Sequence, residues 1–200
     1  MTSAADIRER LLTPWRHGEA HDLRDLDIAE PLDLSGCVLS GFDLSGTRFR
    51  APVDFSGARL EGLSWFTGVR FDDATDFIRS MFLNDARFDG SRFAGPAVFS
   101  GAEFRGIARF DGAHLDAGGD FSAITSYGNF AFDAVRIKAP IEFTGAELLG
   151  GLWANQAHFE HEADFASTQV HGRLWLKNAV VQNHPLSETA FDLSFGYTYK

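Results

Sequence analysis

Cysteine is almost missing: Cys37 stands alone among 200 residues, so no disulfide can close within the chain and no thiolate cluster can hold zinc. Methionine (2) and tyrosine (3) are scarce as well, beside 20 phenylalanines. No stretch approaches the roughly 20 uninterrupted apolar residues that a membrane helix needs. The first residues, MTSAADIRER, lack the charged-then-apolar layout of a signal peptide, so a cytoplasmic location is expected and a membrane is not an expected partner. Cations are outnumbered, with 18 Lys and Arg against 28 Asp and Glu and a formal charge of -10, which argues against direct binding of nucleic acid through its phosphates. The serine elbow G-x-S-x-G and the dinucleotide pattern GxGxxG are both absent, so no catalytic residue and no cofactor is expected. His158, Glu160, His161 and Glu162 lie close in sequence, but neighbours on a strand face opposite ways and no further ligand is evident, so no metal site is expected either.

What is plentiful is phenylalanine, and it is periodic. Every eleventh residue from Phe55 reads Phe55, Phe66, Phe77, Phe88, Phe99, Phe110, Phe121, Phe132, Phe143, Ala154, Phe165 and Leu176. A second series, running from Phe49 and Leu60 through Phe104 and Ser126 to Val181, interleaves with it. Large apolar residues therefore recur at alternating intervals of five and six; before this Leu34, Leu39, Leu44 and Phe49 keep a strict interval of five, Leu23 and Ile28 extend the pattern upstream, and the repeat runs from about Leu23 to about Val181. That spacing fits neither an amphipathic helix nor an ordinary strand, so the chain must turn after each short extended piece. The residue two before each large one is usually small, as at Ala58, Ala86 and Ala108, which is the period of a strand. The residue two after is often glycine, as at Gly57, Gly68 and Gly112, which supplies backbone freedom at a corner.

Units such as FSGAR, FSGAE, FDGAH and FTGAE resemble those of the pentapeptide-repeat family. The resemblance implies an all-β fold, a right-handed quadrilateral β-helix with four units per coil. Here every second unit carries an extra residue, which makes the coil 22 residues long. The expected organisation is an N-terminal helical cap over 1–22, a solenoid over 23–181 and a C-terminal cap or dimerisation segment over 182–200. At about 4.8 Å per coil, seven coils make a rod of roughly 35 Å. A lone coil cannot hold itself against the entropy of ordering its backbone, so stability must come from stacking and caps.

Residues 22 apart lie above one another, which sorts the outward positions into rows. One row is acidic: Asp33, Asp54, Asp76, Val98, Asp120, Glu142, Asp164. The corner before it adds Asp72, Asp73, Asp116, Glu160 and Glu162 against Arg50 and Lys138, and it has no evident neutralising partner. Another row is basic: Arg48, Arg70, Arg92, His114, Arg136, His158. Its expected partners are local, Asp89 with Arg92, Asp111 with His114 and Asp133 with Arg136. A third row carries Trp65, Arg87, Arg109, Trp153 and Trp175, a mixture common at interface hot spots. The acidic edge reads as a solvated surface or as an anionic docking edge. The Trp/Arg row reads as a shielding ladder or as an alternative partner face.

After Val181 the register loosens, and Phe191, Leu193, Phe195, Tyr197 and Tyr199 alternate as the apolar face of one strand would. A solenoid must hide its last coil, so this segment is a cap or the seam of a homodimer. The resemblance implies a non-enzymatic rod with a protein partner. Its most concrete case is a DNA mimic that modulates DNA gyrase or another type II topoisomerase, since quinolone-resistance members of the family occupy the DNA-binding saddle of gyrase as acidic, rod-shaped dimers. The alternative is a scaffold or adaptor that binds a protein through the Trp/Arg face.

Overall fold

The five-and-six spacing arises because two kinds of corner alternate around each coil. At one kind, two residues separate successive inward side chains. The Val69 amide donates to the Phe66 carbonyl (3.1 Å) and the Ser80 amide to the Phe77 carbonyl (3.0 Å), closing four-residue turns. The third residue of each has positive φ, 65° at Gly68 and 52° at Arg79, as a type II turn requires. At the other kind, three residues intervene, such as Asp72, Asp73 and Ala74 between the inward Phe71 and Thr75.

The computed structural model describes residues 2–199: a helix, α1 (Ala4–Leu11), followed by a solenoid of about 8 turns with four parallel sheets. Each sheet forms one face. Face 1 starts at His21–Asp22 and has nine strands, face 2 at Asp27–Ile28 with nine, face 3 at Leu32–Asp33 with seven, and face 4 at Val38–Leu39 with eight. The rod is thus one turn longer than the seven coils expected, because strands are added at both ends of the Phe-rich region. In its middle the register shift is 22, with Arg70 opposite Arg92 and Phe71 opposite Phe93. At the start it is 21, with Asp27 opposite Arg48, because only Ser40 and Gly41 form the corner after Leu39. At the end it is 24, with Gln169 opposite Leu193.

Rings stack in columns behind all four faces, with Phe49, Phe71 and Phe93 behind face 2, Phe82 and Phe104 behind face 4, and the two tightest columns behind faces 3 and 1. Phe55, Phe77, Phe99 and Phe121 stack behind face 3 at 4.7 to 4.8 Å between centroids, and Phe66, Phe88 and Phe110 stack behind face 1 at 4.6 Å. The coil spacing of about 4.8 Å is itself a good offset-stacking distance, which is why phenylalanine recurs in every coil. The columns meet edge to face, as between Phe77 and Phe88 (5.5 Å, 86°).

Both ends are covered. The Ser3 hydroxyl accepts from the Asp6 amide while the Asp6 carboxylate accepts from the Ser3 amide, a capping box that starts α1. Ala4, Ile7 and Leu11 are buried, and the Ser40 amide donates to the Leu11 carbonyl (2.9 Å), so the helix closes the first coil. At the other end Gln182 and Asn183 both take positive φ, and the chain returns with His184–Pro185 antiparallel to Val180–Val181. It then crosses the bore from Ala179, where the Leu186 amide donates, to Thr168, whose carbonyl accepts from the Asp192 amide. Leu186 and Phe191 plug the core, with the Phe191 ring 4.9 Å from Phe165. The single alternating strand expected over Phe191 to Tyr199 does not form. The segment turns at Gly196 (φ 106°) and splits into Leu193–Ser194 on face 4 and Thr198–Tyr199 on face 1. Only Phe191 is buried, while Phe195, Tyr197 and Tyr199 are exposed.

Candidate functional site

The acidic row runs down the centre of face 3, and its residues are held rather than free. One carboxylate oxygen of Asp33, Asp54, Asp76, Asp120 and Asp164 accepts from the backbone amide two residues on, at 2.9, 2.7, 2.7, 2.8 and 2.8 Å. Aspartate at this place therefore fastens the following corner, and its second oxygen is left to face outward. At Asp33 the hydrogen bonds from the Ser35 hydroxyl and amide lower the carboxyl pKa below its ordinary value. Val98 and Glu142 interrupt the pattern.

The adjoining corner between faces 2 and 3 does find cations, contrary to expectation. Arg48 reaches Asp72 (2.6 Å), while Arg92 (2.7 Å) and Lys138 (3.0 Å) converge on Asp116. Burial pushes the Asp116 carboxyl up, but hydrogen bonds from Lys138 and Arg92 outweigh it and the pKa is lowered. Asp73, Glu142, Glu160, Glu162 and Asp164 remain exposed. The local pairs expected from Asp89, Asp111 and Asp133 to the basic row do not form. An arginine on face 2 spans 24 residues forward to the next coil more easily than three back around a tight corner. Asp89 and Asp111 bind Arg87 and Arg109 of face 1 instead (3.2, 3.2 and 2.7 Å). Asp133 accepts from the Asn155 amide (2.7 Å) and side chain (2.9 Å); burial is the main reason that its pKa is raised.

On face 1, the Arg87 guanidinium lies 5.9 Å from the Trp65 ring centroid. Trp153 and Trp175 are neighbours (6.0 Å), and Trp175 stacks on Tyr199 (4.3 Å), so the tail covers the end of this row. The five side chains of the Trp/Arg row are all half-buried. Two further features escaped the sequence reading. Face 4 presents a mixed row of Arg59, Met81, Glu103, Thr125, Glu147 and Gln169. The corner between faces 4 and 1, diagonally opposite the acidic one, exposes Leu63, Ile107 and Tyr127 beside a column of glycines. The signal for that column was a glycine at every fourth unit, two residues after the large inward one, a place where the spacing points to backbone freedom.

Among the described residues no three His, Cys, Asp or Glu side chains come together as a metal site, and no helix is long and apolar enough to cross a membrane. A ring-filled rod with sorted outward ladders is a solenoid repeat protein, whose chemistry lies in its surface rows. The family profile described as Pentapeptide repeats (9 copies) matches residues 34–81 and 77–125, and the same repeat geometry continues through the later coils: this chain is a pentapeptide-repeat protein. No curated protein and no solved structure matches it significantly.

Proposed function

We propose that the chain is a non-enzymatic protein-interaction rod whose acidic face 3 and adjoining corner occupy a basic, DNA-shaped groove of a cytoplasmic partner, with DNA gyrase as the specific case. The observation that supports this reading most is the row of backbone-anchored aspartates, Asp33, Asp54, Asp76, Asp120 and Asp164, which leaves one oxygen free in each of their coils, with Val98 and Glu142 in the two coils between and coils about 4.8 Å apart. The partner-binding set is Asp54, Asp72, Asp73, Asp76, Asp116, Asp120, Glu142 and Asp164. Eight coils make a rod of about 38 Å. A net charge of -10 along it is under half the density of a DNA duplex, which carries one charge per about 1.7 Å. The fit therefore rests on a charged face more than on total charge.

The test is a gyrase supercoiling reaction, with and without a fluoroquinolone, using the wild type and a variant carrying Asp76→Asn, Asp120→Asn and Asp164→Asn. Asparagine keeps the oxygen that accepts the corner amide and removes only the charge, so the variant should melt like the wild type. Inhibition or drug protection by the wild type, lost in the variant, is the expected result. No effect of micromolar wild-type protein removes the topoisomerase reading and moves the partner to the Trp/Arg face, Trp65, Arg87, Arg109, Trp153 and Trp175.

The same proposal includes a homodimer through the C-terminal segment, supported by the exposure of Phe195 (58%) and Tyr197 (77%) side by side on the last coil. Sedimentation velocity should show a dimer that dissociates when both are changed to serine. A wild-type monomer at all concentrations up to millimolar would remove the dimer.

A further inference from the structure

Face 3 stops one coil early, and its last strand is left open. On this face the amides of the inward residues, Ala97 excepted, donate to the coil that follows, as Ile141 does to the Glu162 carbonyl (3.1 Å) and Phe143 to the Asp164 carbonyl (2.7 Å). The equivalent donors in the last strand are the amides of Ala163 and Phe165. The other three faces continue to His184–Pro185, Leu193–Ser194 and Thr198–Tyr199, but face 3 ends at Ala163–Asp164. Among the described residues these two amides therefore have no acceptor.

The tail does not fill the gap. It crosses the bore along the other diagonal, from Ala179 to Thr168, and leaves a cleft of about 260 Å³ lined by Ala163, Phe165, Val181, Leu186, Ser187 and Ala190. The outward residue of the open strand is Asp164, with Glu142 paired to it in the coil before and exposed Glu160 and Glu162 at the corner beside it. No cation forms an ion pair with any of these four carboxylates among the described residues. Unpaired donors at a sheet edge are a template for another strand, and alternate side chains of that strand then decide what it must be.

We infer that this edge takes an extended basic peptide of a partner protein as the missing strand of face 3. Peptide carbonyls accept from the Ala163 and Phe165 amides. A lysine or arginine lies over Asp164 and Glu142, and small apolar residues on either side enter the cleft over Ala163 and Phe165. The inference concerns the open edge at the end of the rod, which shares Glu142 and Asp164 with the acidic face, and it stands whether or not gyrase is the partner of that face.

The experiment is fluorescence anisotropy of a labelled Lys-Ala-Lys-Val-Lys peptide with the full chain, against Glu-Ala-Glu-Val-Glu as the control. Proline is tolerated on an open edge where its missing N–H faces away from the sheet. Ala163→Pro should therefore weaken binding of the basic peptide by about tenfold or more. In parallel, amide exchange is read at Ala163 and Phe165. Both should exchange much faster than Ile141 and Phe143 in the free chain, and slow by about tenfold or more when the basic peptide is added, as an acceptor closes each amide. Several results overturn the inference: no peptide binding, equal binding of the acidic peptide, full binding to a folded Ala163→Pro variant, or binding that leaves the two amides unprotected. The last would mean contact with the charged corner alone. Should Ala163→Pro fail to fold, exchange in the wild-type chain decides. Because this readout is local to two amides, it is separate from the supercoiling test and either reading can fall without the other.

Discussion

Phe110→Ala is expected to lower the melting temperature by about 10 °C, the result of losing about 3 to 5 kcal/mol in a chain of this size. Phe110 is fully buried and touches five other rings: it stacks on Phe88 at 4.6 Å and packs against Phe99, Phe121, Phe130 and Phe132 at 5.4, 5.5, 5.6 and 5.1 Å. Truncation removes the transfer energy of the ring and leaves a hole that the coils above and below cannot close, since each is pinned by ladders on four faces. It also removes aromatic pair terms worth about 0.5 to 1.5 kcal/mol each beyond burial. Because each coil is stabilised only by its neighbours, a gap in the middle weakens the coupling between the two halves. Thermal unfolding followed by circular dichroism reads the effect, and wild-type melting of this variant would show that the stack is not what holds the rod together.

Gly150→Ala should be the second severe change, and its contrast with Gly112→Ala carries the argument. Gly150 lies in the column at the corner between faces 4 and 1, with ordinary φ. A methyl group there would meet the carbonyl carbon and oxygen of Gly128 and the amide nitrogen of Asn129, the last at 2.7 Å. Those are main-chain atoms, held by the pairing of Ser126 with Leu148 and of Phe130 with Leu152 on either side, so they cannot move away without breaking a ladder. Overpacking of this kind costs about 1 to 3 kcal/mol and sometimes more. Gly112 has φ of 66° and open space around it, and Ala134 and Gln156 occupy the same column one and two coils later at φ 55° and 59°. Alanine at Gly112 should cost only about 1 kcal/mol, the penalty of a left-handed conformation. Chemical denaturation of both variants gives the order, and equal losses would refute the crowding account.

That contrast also marks how far the sequence could be read. The recurrence of large inward residues and a turn after each short extended piece follow from spacing, because one residue type repeats wherever the backbone returns to the same place; the four-sided coil, and with it the sorting of outward residues into rows, came from the resemblance to the pentapeptide-repeat family. The two glycine classes could not be separated in that way. Glycine at a tight corner and glycine under a neighbouring coil fall at the same distance after a large residue, and only the backbone shows which needs conformational freedom and which needs room. The acidic row was legible as charge, whereas its role in fastening corners was not, although serine two residues after Asp33, Asp54 and Asp120 was a signal for it. Ion pairing was read in the wrong direction because arginine reach is set by coil spacing, not by separation along the chain. The tail lay beyond pattern reading altogether, since a hairpin, a plug and two strands on different faces share no common period.

The narrow range of the register shift, from 21 to 24 residues, bears on how such a rod forms. Strand pairing at every level joins residues about 22 apart, in a chain of 200, so the relative contact order of the ladders is about 0.11. That value lies in the range of helical bundles and below that of most all-β domains. Each added coil closes a loop of nearly the same length against a surface already in place, and the entropic cost does not grow as the rod lengthens. Assembly is then a matter of nucleation followed by growth, as in a one-dimensional crystal, and α1 and the C-terminal plug are the features that stop that growth at the two ends.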